Sequence, residues 1–433
     1  MLGGGTAPAA DGAGARDPKS LRAERERRNA ALIERGFNFT NGFDVAAGRH
    51  PLEIEVLVPP AAEPHEISVW AVSAGGDLTI RIADARDATL ASWSGPSGER
   101  RWALHLPAGR NRVTIDARDG AIGLLGLKGP VASTCAVDAT RVTTHTANAA
   151  AEFRWPYLLL LPREARANAL LVAPNNTGFA TTDADLIVAS GKCTVAQNAT
   201  LADRLGAPLL VPLFPRPAAT GEADNLYLHA LSRASLTEQR LEYARVDLQL
   251  IAMIDDARAQ LEERSLHIDP RVLLTGFSAS ASFASRFAML HPERVLAVAA
   301  TSPGGWPIAP AARDDRDVLA YPVGIADVAS LIGNAPDAAD RRKVSWFFLL
   351  GDRDSNDSVP SRDSFAAADT ALITRRYGTT PAARWKFAER LYRSQQLRAR
   401  FALYPGIAHE LSPQMCADIE AFFRAALDGA HER

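Results

Sequence analysis

Val272-Leu273-Leu274-Thr275-Gly276-Phe277-Ser278-Ala279-Ser280-Ala281 is the stretch whose reading decides the fold. An apolar, β-prone run meets a Gly-x-Ser-x-small turn, and an alanine-rich helical segment follows at once. Strand, sharp turn and helix in that order are the context of a nucleophile elbow, a strained turn that lifts a serine hydroxyl clear of the sheet. Only small neighbours fit around such a serine, and Gly276, Ala279 and Ser280 are all small. Ser280 stands where the commonest pattern has glycine.

Around the elbow, from about Phe153 onward, short apolar runs alternate with helical segments. The strands are expected at Tyr157–Leu161, Ala169–Ala173, Pro208–Leu213, Arg271–Thr275, Val295–Ala300, Val344–Leu350 and Arg400–Tyr404. Helices are expected around Asp185–Leu205, Glu238–Glu263, Ala279–Leu290, Phe365–Ile373 and Pro413–Leu427. Gly206 closes the first helix and Pro208 opens the next strand. This alternation builds an α/β domain over residues 153–433, a doubly wound, mostly parallel sheet covered on both faces. Residues 309–342 interrupt the rhythm and read as a cap-like insertion.

Upstream the period changes to two. Leu52, Ile54, Val56 and Val58 alternate with mostly polar residues, as do Leu78, Ile80 and Ile82, then Trp102, Leu104 and Leu106, then Val113 and Ile115. Turn residues such as Gly75-Gly76-Asp77 and Gly95-Pro96-Ser97-Gly98 separate them. Residues 37–130 are therefore expected to form a small antiparallel β-sandwich. Residues 131–152 read as a linker, and residues 1–36 as a Gly/Ala/Pro-rich leader followed by a charged helix. His50, His65 and His105 are scattered through the β region and form no cluster.

The chain has 433 residues and a net charge of -2, with acids and bases in balance. That balance argues against a nucleic-acid partner. No apolar run approaches the length of a transmembrane helix. The first ten residues lack a basic n-region and an apolar h-region. The expectation is a secreted or periplasmic protein whose signal has been removed, with a cytoplasmic one as the alternative. Cys135, Cys193 and Cys416 match no zinc spacing. Either Cys135 and Cys193 pair in an exported protein, or all three are buried thiols. Sequence gives no oligomeric state.

An elbow serine needs a base to take its proton and an acid to orient that base. His409, in Tyr404-Pro405-Gly406-Ile407-Ala408-His409, follows the last strand and is the candidate base. His291 is expected to cap a turn at the end of the elbow helix, and His431 lies in the tail. Three aspartates follow the strand ending at Leu350. Asp354, clear of the sheet in Gly351-Asp352-Arg353-Asp354, is the first choice of acid, Asp357 is the alternative, and Asp352 is more suited to capping the turn. The aspartate cluster lacks the terminal glutamate of an EF-hand loop, so no metal is expected. Oxyanion donors are expected from the backbone N–H of Ala279 and from Asn176 or Thr177 in the loop Pro174-Asn175-Asn176-Thr177-Gly178-Phe179. Trp306, Phe179 and Asn175 are candidates for the substrate pocket, with core packing as the other reading of the aromatic residues.

Ser278, Asp354 and His409, in that chain order and each at a strand end, resemble the triad of an α/β-hydrolase over roughly Phe153 to Leu427. With the added N-terminal β region, the chain resembles bacterial serine esterases of the polyhydroxybutyrate-depolymerase and feruloyl-esterase type. The resemblance implies hydrolysis of a small or polymeric ester, polyester or aromatic and hydroxyacyl esters among them, through an acyl-enzyme and without a cofactor. The same machinery also serves peptidases, lipases and acyltransferases. A binding protein on a hydrolase scaffold would have no need of all three residues.

Overall fold

The structure, a computed structural model, describes residues 37–39, 52–58, 65–73, 78–96, 98–104, 106–118, 120–128, 132–134, 137–175, 182, 184–217, 226–361 and 364–431. The leader and charged helix expected over residues 1–36 lie outside the described residues.

Among the described residues, the period-two region and the first part of the stretch read as a linker form mostly strands. They are β1 (Phe37–Phe39), β2 (Leu52–Val58), β3 (His65–Ser73), β4 (Leu78–Asp84), β5 (Thr89–Gly95), β6 (Gly98–Leu104), β7 (Gly109–Arg118), β8 (Gly120–Lys128) and β9 (Ala132–Thr134). They make two antiparallel sheets, ordered β1-β8-β3-β6 and β5-β4-β7-β2-β9. The alternation is visible in burial: Ile80, Ile82, Val113 and Ile115 are buried while Thr79, Arg81 and Thr114 between them are only partly so.

A further sheet has eight strands: β10 (Val142–His145), β11 (Tyr157–Leu160), β12 (Leu171–Val172), β13 (Leu209–Pro212), β14 (Val272–Phe277), β15 (Val295–Thr301), then, beyond the short hairpin β16 (Arg313–Asp314) and β17 (Asp317–Val318), β18 (Ser345–Gly351) and β19 (Arg398–Tyr404). Their order is β10-β11-β13-β12-β14-β15-β18-β19. The β11 strand runs antiparallel to both neighbours, and from β13 to β19 all pairs are parallel. The sheet thus begins at Val142, inside the stretch read as a linker. That strand, Val-Thr-Thr-His, is an edge with mostly polar side chains, so no apolar run announces it.

Both faces of this sheet are buried, and successive residues divide between two cores. Leu159, Leu170, Val172, Leu274, Val298 and Phe348 point to one. Leu158, Leu171, Leu273, Ala297, Phe347 and Leu349 point to the other. This is why the strands read as continuous apolar runs. Full burial of each Val, Leu or Phe contributes about 1.5–3 kcal/mol.

The helices are α1 (Ala184–Leu205), α2 (Arg233–Thr237), α3 (Val246–Glu262), α4 (Ala279–Leu290), α5 (Val328–Ile332), α6 (Ala338–Lys343), α7 (Ala367–Tyr377), α8 (Pro381–Ser394) and α9 (Pro413–His431). Apolar residues of α3 and α4 join the first core, and those of α1 and α9 join the second. The helix predicted from Glu238 begins only at Val246, because Arg245 adopts φ 46°, ψ 54° and breaks the helical path. Helix α8 was not anticipated. Its start is nevertheless marked by Thr380, whose hydroxyl accepts from the Ala383 amide, and by Pro381 in the first helical position. The 309–342 stretch holds the hairpin β16–β17 and two short helices, and its Ala309, Ala311, Leu319 and Val323 pack with residues of α7 and α8.

Candidate active site

Ser278 follows β14 directly and is the N-cap residue of α4, with φ 60°, ψ −121°. Such backbone is uncommon for a residue with a Cβ and costs on the order of 1–3 kcal/mol. It is held from both sides. The Ser278 amide donates to Thr301 O at 2.9 Å on the neighbouring strand, and the amides of Ala281 and Ser282 return to Ser278 O at 3.1 Å. Gly276 is required here: a Cβ on it would stand 2.4 Å from Ser280 O. Ser280, the departure from the common pattern, braces the turn. Its hydroxyl donates to Phe277 O at 2.9 Å and accepts from the Phe277 amide at 3.0 Å.

His409 reaches the elbow from the loop after β19. Its Nε2 lies 3.0 Å from Ser278 Oγ, and its Nδ1 lies 2.9 Å from Asp354 Oδ2. The Phe277 ring packs against the imidazole at 4.6 Å between centroids. Asp354 is 4% exposed, against a mostly solvent-facing loop. Its other oxygen, Oδ1, accepts from the Asn356 amide at 2.9 Å. Burial pushes the Asp354 carboxyl up, but the hydrogen bonds it accepts, foremost the His409 contact, outweigh it and hold the group below the usual carboxylate range. An ionised Asp354 accepts from Nδ1–H, which leaves the lone pair of Nε2 turned toward the serine.

The loops carrying acid and base are laced together by backbone. The amides of Asp352 and Arg353 donate to Tyr404 O and Ile407 O, both at 2.9 Å. The Asp352 carboxylate accepts from the Gly406 amide at 2.7 Å, a bond across to the base-carrying loop. Asp357, the alternative acid, faces elsewhere. It accepts from Arg384 Nη1 at 2.7 Å and from the Val359 amide at 3.0 Å. Arg384 is fully buried and also donates to Gly378 O, so Asp357 serves as the counter-charge of a structural guanidinium.

The remaining expectations divide. Ala279 is the first residue of α4, where helix geometry leaves its N–H without an intrahelical partner. Asn176, Thr177 and Phe179 lie outside the described residues. Asn175 is buried, and its side chain is tied to Phe214 in both directions, at 2.8 Å to the carbonyl and 3.1 Å from the amide. It anchors the start of that loop rather than lining an open pocket. Trp306 is also a core residue: it is 1% exposed, donates to Val323 O and stacks on Tyr377 at 4.3 Å. His291 is the C-cap of α4, its amide donating to Phe287 O at 2.8 Å, while its side chain makes no cap and instead bonds the buried Asp247 carboxylate through Nε2 at 2.8 Å. His431 ends α9. Cys193 is disulfide-bonded and Cys416 is an exposed free thiol, which overturns the reading of three buried thiols; Cys135 lies outside the described residues.

Two contributors were missed from sequence. Asn356 Nδ2 lies 2.8 Å from His409 Nε2. Gly351 lets the acid and base loops meet, since a Cβ there would stand 2.2 Å from Ile407 O. The Asp-Ser-Asn-Asp run was a signal of a side-chain-stabilised turn, but not of its reach to the histidine. Among the described residues no group of His, Cys, Asp and Glu is arranged to hold a metal ion, and no helix is long and apolar enough to cross a membrane.

No protein-family model matches the chain, and no curated protein matches it in sequence. Among solved structures it is similar to poly(aspartic acid) hydrolase-1 from Sphingomonas sp. KT-1, at 15% identity and TM-score 0.40 over 63% of this chain and 92% of that one. It is similar to a poly(3-hydroxybutyrate) depolymerase from Bordetella parapertussis at 16% identity and TM-score 0.38, over 63% and 83% of the two chains. An S-formylglutathione hydrolase from Agrobacterium tumefaciens matches at 13% identity and TM-score 0.39, over 66% and 94%. With its elbow at the carboxyl end of a central parallel strand, helices on both faces, and Ser278, Asp354 and His409 following β14, β18 and β19 in that order, this chain has the α/β-hydrolase fold.

Proposed function

We propose that this chain is a serine hydrolase that cleaves carboxylic esters through an acyl-enzyme intermediate. The observation that carries the reading is one imidazole bonded at both nitrogens, to Ser278 Oγ at 3.0 Å and to a buried carboxylate at 2.9 Å. A structural histidine has no need of a strained serine on its second nitrogen.

In this reading His409 Nε2 takes the proton of Ser278 as Oγ attacks the ester carbonyl. Asp354 fixes the tautomer and stabilises the imidazolium that forms. The N–H of Ala279 meets the developing oxyanion, a contribution worth roughly 10²–10³ in kcat per donor. His409 returns the proton to the departing alcohol. Water then enters, gives a proton to Nε2 and attacks the acyl carbonyl, and Ser278 leaves with the proton from Nε2. No cofactor enters these steps.

The catalytic domain in this proposal runs from Val142 through α9, with the antiparallel sheets of residues 37–134 as a separate N-terminal domain. The disulfide at Cys193 supports an exported protein, since such bonds persist in oxidising compartments. Hydrolysis of p-nitrophenyl esters of increasing acyl length, beside aromatic and polyester substrates, tests the reaction and sizes the acyl pocket. Cleavage of peptide bonds with no ester turnover would contradict it.

A further inference from the structure

Asn356 holds both ends of the acid–base pair. Its backbone N–H donates to Asp354 Oδ1 at 2.9 Å, and its side-chain amide approaches His409 Nε2 at 2.8 Å. Nε2 has one lone pair, and Ser278 Oγ stands on the same nitrogen at 3.0 Å. With Nδ1–H committed to Asp354, both the amide and the hydroxyl are donors to that lone pair, so they share it. Asn356 is exposed, on the solvent side of the pair, whereas Ser278 is partly buried in the elbow.

The two partners do not last equally through a serine hydrolase cycle. Before acylation the Ser278 hydroxyl itself fixes the imidazole. Once Oγ is esterified it has no hydrogen to donate, and Nε2 loses that contact. The Asn356 amide is the other side chain on Nε2, and it stays. We infer that Asn356 is a positioning residue for deacylation: it keeps His409 in register while Ser278 is acylated. It does so from the side on which the hydrolytic water arrives. As the water's O–H turns to Nε2, the amide gives up the lone pair and keeps the water within reach through its own oxygen or nitrogen. The water then transfers a proton to Nε2, its oxygen bonds the acyl carbon, and the bond to Oγ breaks as Oγ recovers that proton.

This inference rests on the serine-hydrolase reading, and the test separates the two. Asn356→Ala removes the amide but keeps the backbone N–H on Asp354, and the residue is exposed, so the fold should be unaffected. In an acyl-enzyme mechanism kcat/KM reports steps up to acylation, whereas kcat for an activated ester reports deacylation when that step limits. With p-nitrophenyl acetate, kcat of Asn356→Ala should fall by roughly 3- to 10-fold, the scale of one neutral hydrogen bond. Its kcat/KM should stay within about twofold, on the premise that the Ser278 hydroxyl still orients His409. Acetylated Ser278 should accumulate in quenched samples read by intact-mass spectrometry, and Asn356→Gln, which retains an amide, should recover part of kcat. A parallel fall of kcat and kcat/KM, or no change in either, overturns the role. Failure of the wild-type protein to acetylate Ser278 at all would instead overturn the hydrolase reading and this inference with it.

Discussion

Gly351 and Ile407 approach so closely that a Cβ on the glycine would stand 2.2 Å from the isoleucine carbonyl oxygen. One is the last residue of the strand that carries the acid, and the other lies in the loop that carries the base. Gly351→Ala should therefore push the two loops apart. Overpacking of this kind costs about 1–3 kcal/mol, and a displacement near 1 Å at a catalytic pair lowers rate by on the order of 10²-fold. Thermal midpoint and kcat/KM measured together check this; an alanine variant with unchanged kcat/KM would mean that the close approach does not set the Asp354–His409 geometry.

Ser280 closes the elbow by bonding the backbone of Phe277 in both directions. Ser280→Ala should destabilise the protein by about 1–3 kcal/mol, because it leaves the Phe277 N–H and carbonyl without that partner in a tight turn. Ester turnover should fall with it, since the same turn aims Ser278. Denaturant unfolding of both proteins gives the first quantity and steady-state kinetics the second.

Asp354 and Asp357 should separate by phenotype. Asp354→Asn removes the acceptor that sets the His409 tautomer, and kcat should drop by on the order of 10⁴-fold with little loss of stability. Asp357→Asn leaves the buried Arg384 without its carboxylate, a change that costs about 3–5 kcal/mol, while the folded fraction keeps most of its activity. If Asp357→Asn abolishes turnover in folded protein and Asp354→Asn does not, the acid has been misassigned.

Asp247 gives the protein an acid-sensitive contact remote from the site. Burial pushes its carboxyl up, but the bonds to His291 and Arg245 outweigh it and bring it down to about 2. A depressed carboxyl stabilises the fold above its unfolded value, and that contribution is lost as pH falls from near 4 toward 2. At about 1.4 kcal/mol per pH unit the loss is roughly 2 kcal/mol. His291 opposes this in direction: burial lowers its affinity for a proton, Asp247 and Glu293 more than restore it, and its contribution fades as pH rises past its elevated value. Thermal midpoints of wild type and Asp247→Asn should converge as pH falls toward 2 and diverge toward pH 5; a gap independent of pH would refute the account.

Most of the parallel sheet was legible because both its faces are buried, so each strand reads as an unbroken apolar run. The Val142–His145 edge was not, since only one side of it meets another strand and its side chains are mostly polar. Ser278, Asp354 and His409 could be chosen because each follows a strand in the expected order. Asp357 could be set aside only once Arg384 was seen against it, a contact across 27 positions of sequence. Trp306 and Asn175 read as pocket residues because position after a strand says nothing about which way a side chain turns. Asn356 was missed for the same reason: its contact with His409 spans 53 positions.

The central claim is that Ser278 is a nucleophile activated by His409. The most direct test is the reaction of the protein with a p-nitrophenyl ester and with an alkyl fluorophosphonate, wild type beside Ser278→Ala and His409→Ala. Wild type should turn over the ester and gain one phosphonyl group on Ser278, read by peptide mass spectrometry. Both variants should lose on the order of 10⁶-fold in kcat, if the loss matches that of another serine triad, and Ser278→Ala should take no label. Equal turnover by wild type and Ser278→Ala, or a label on a different residue, would contradict the account.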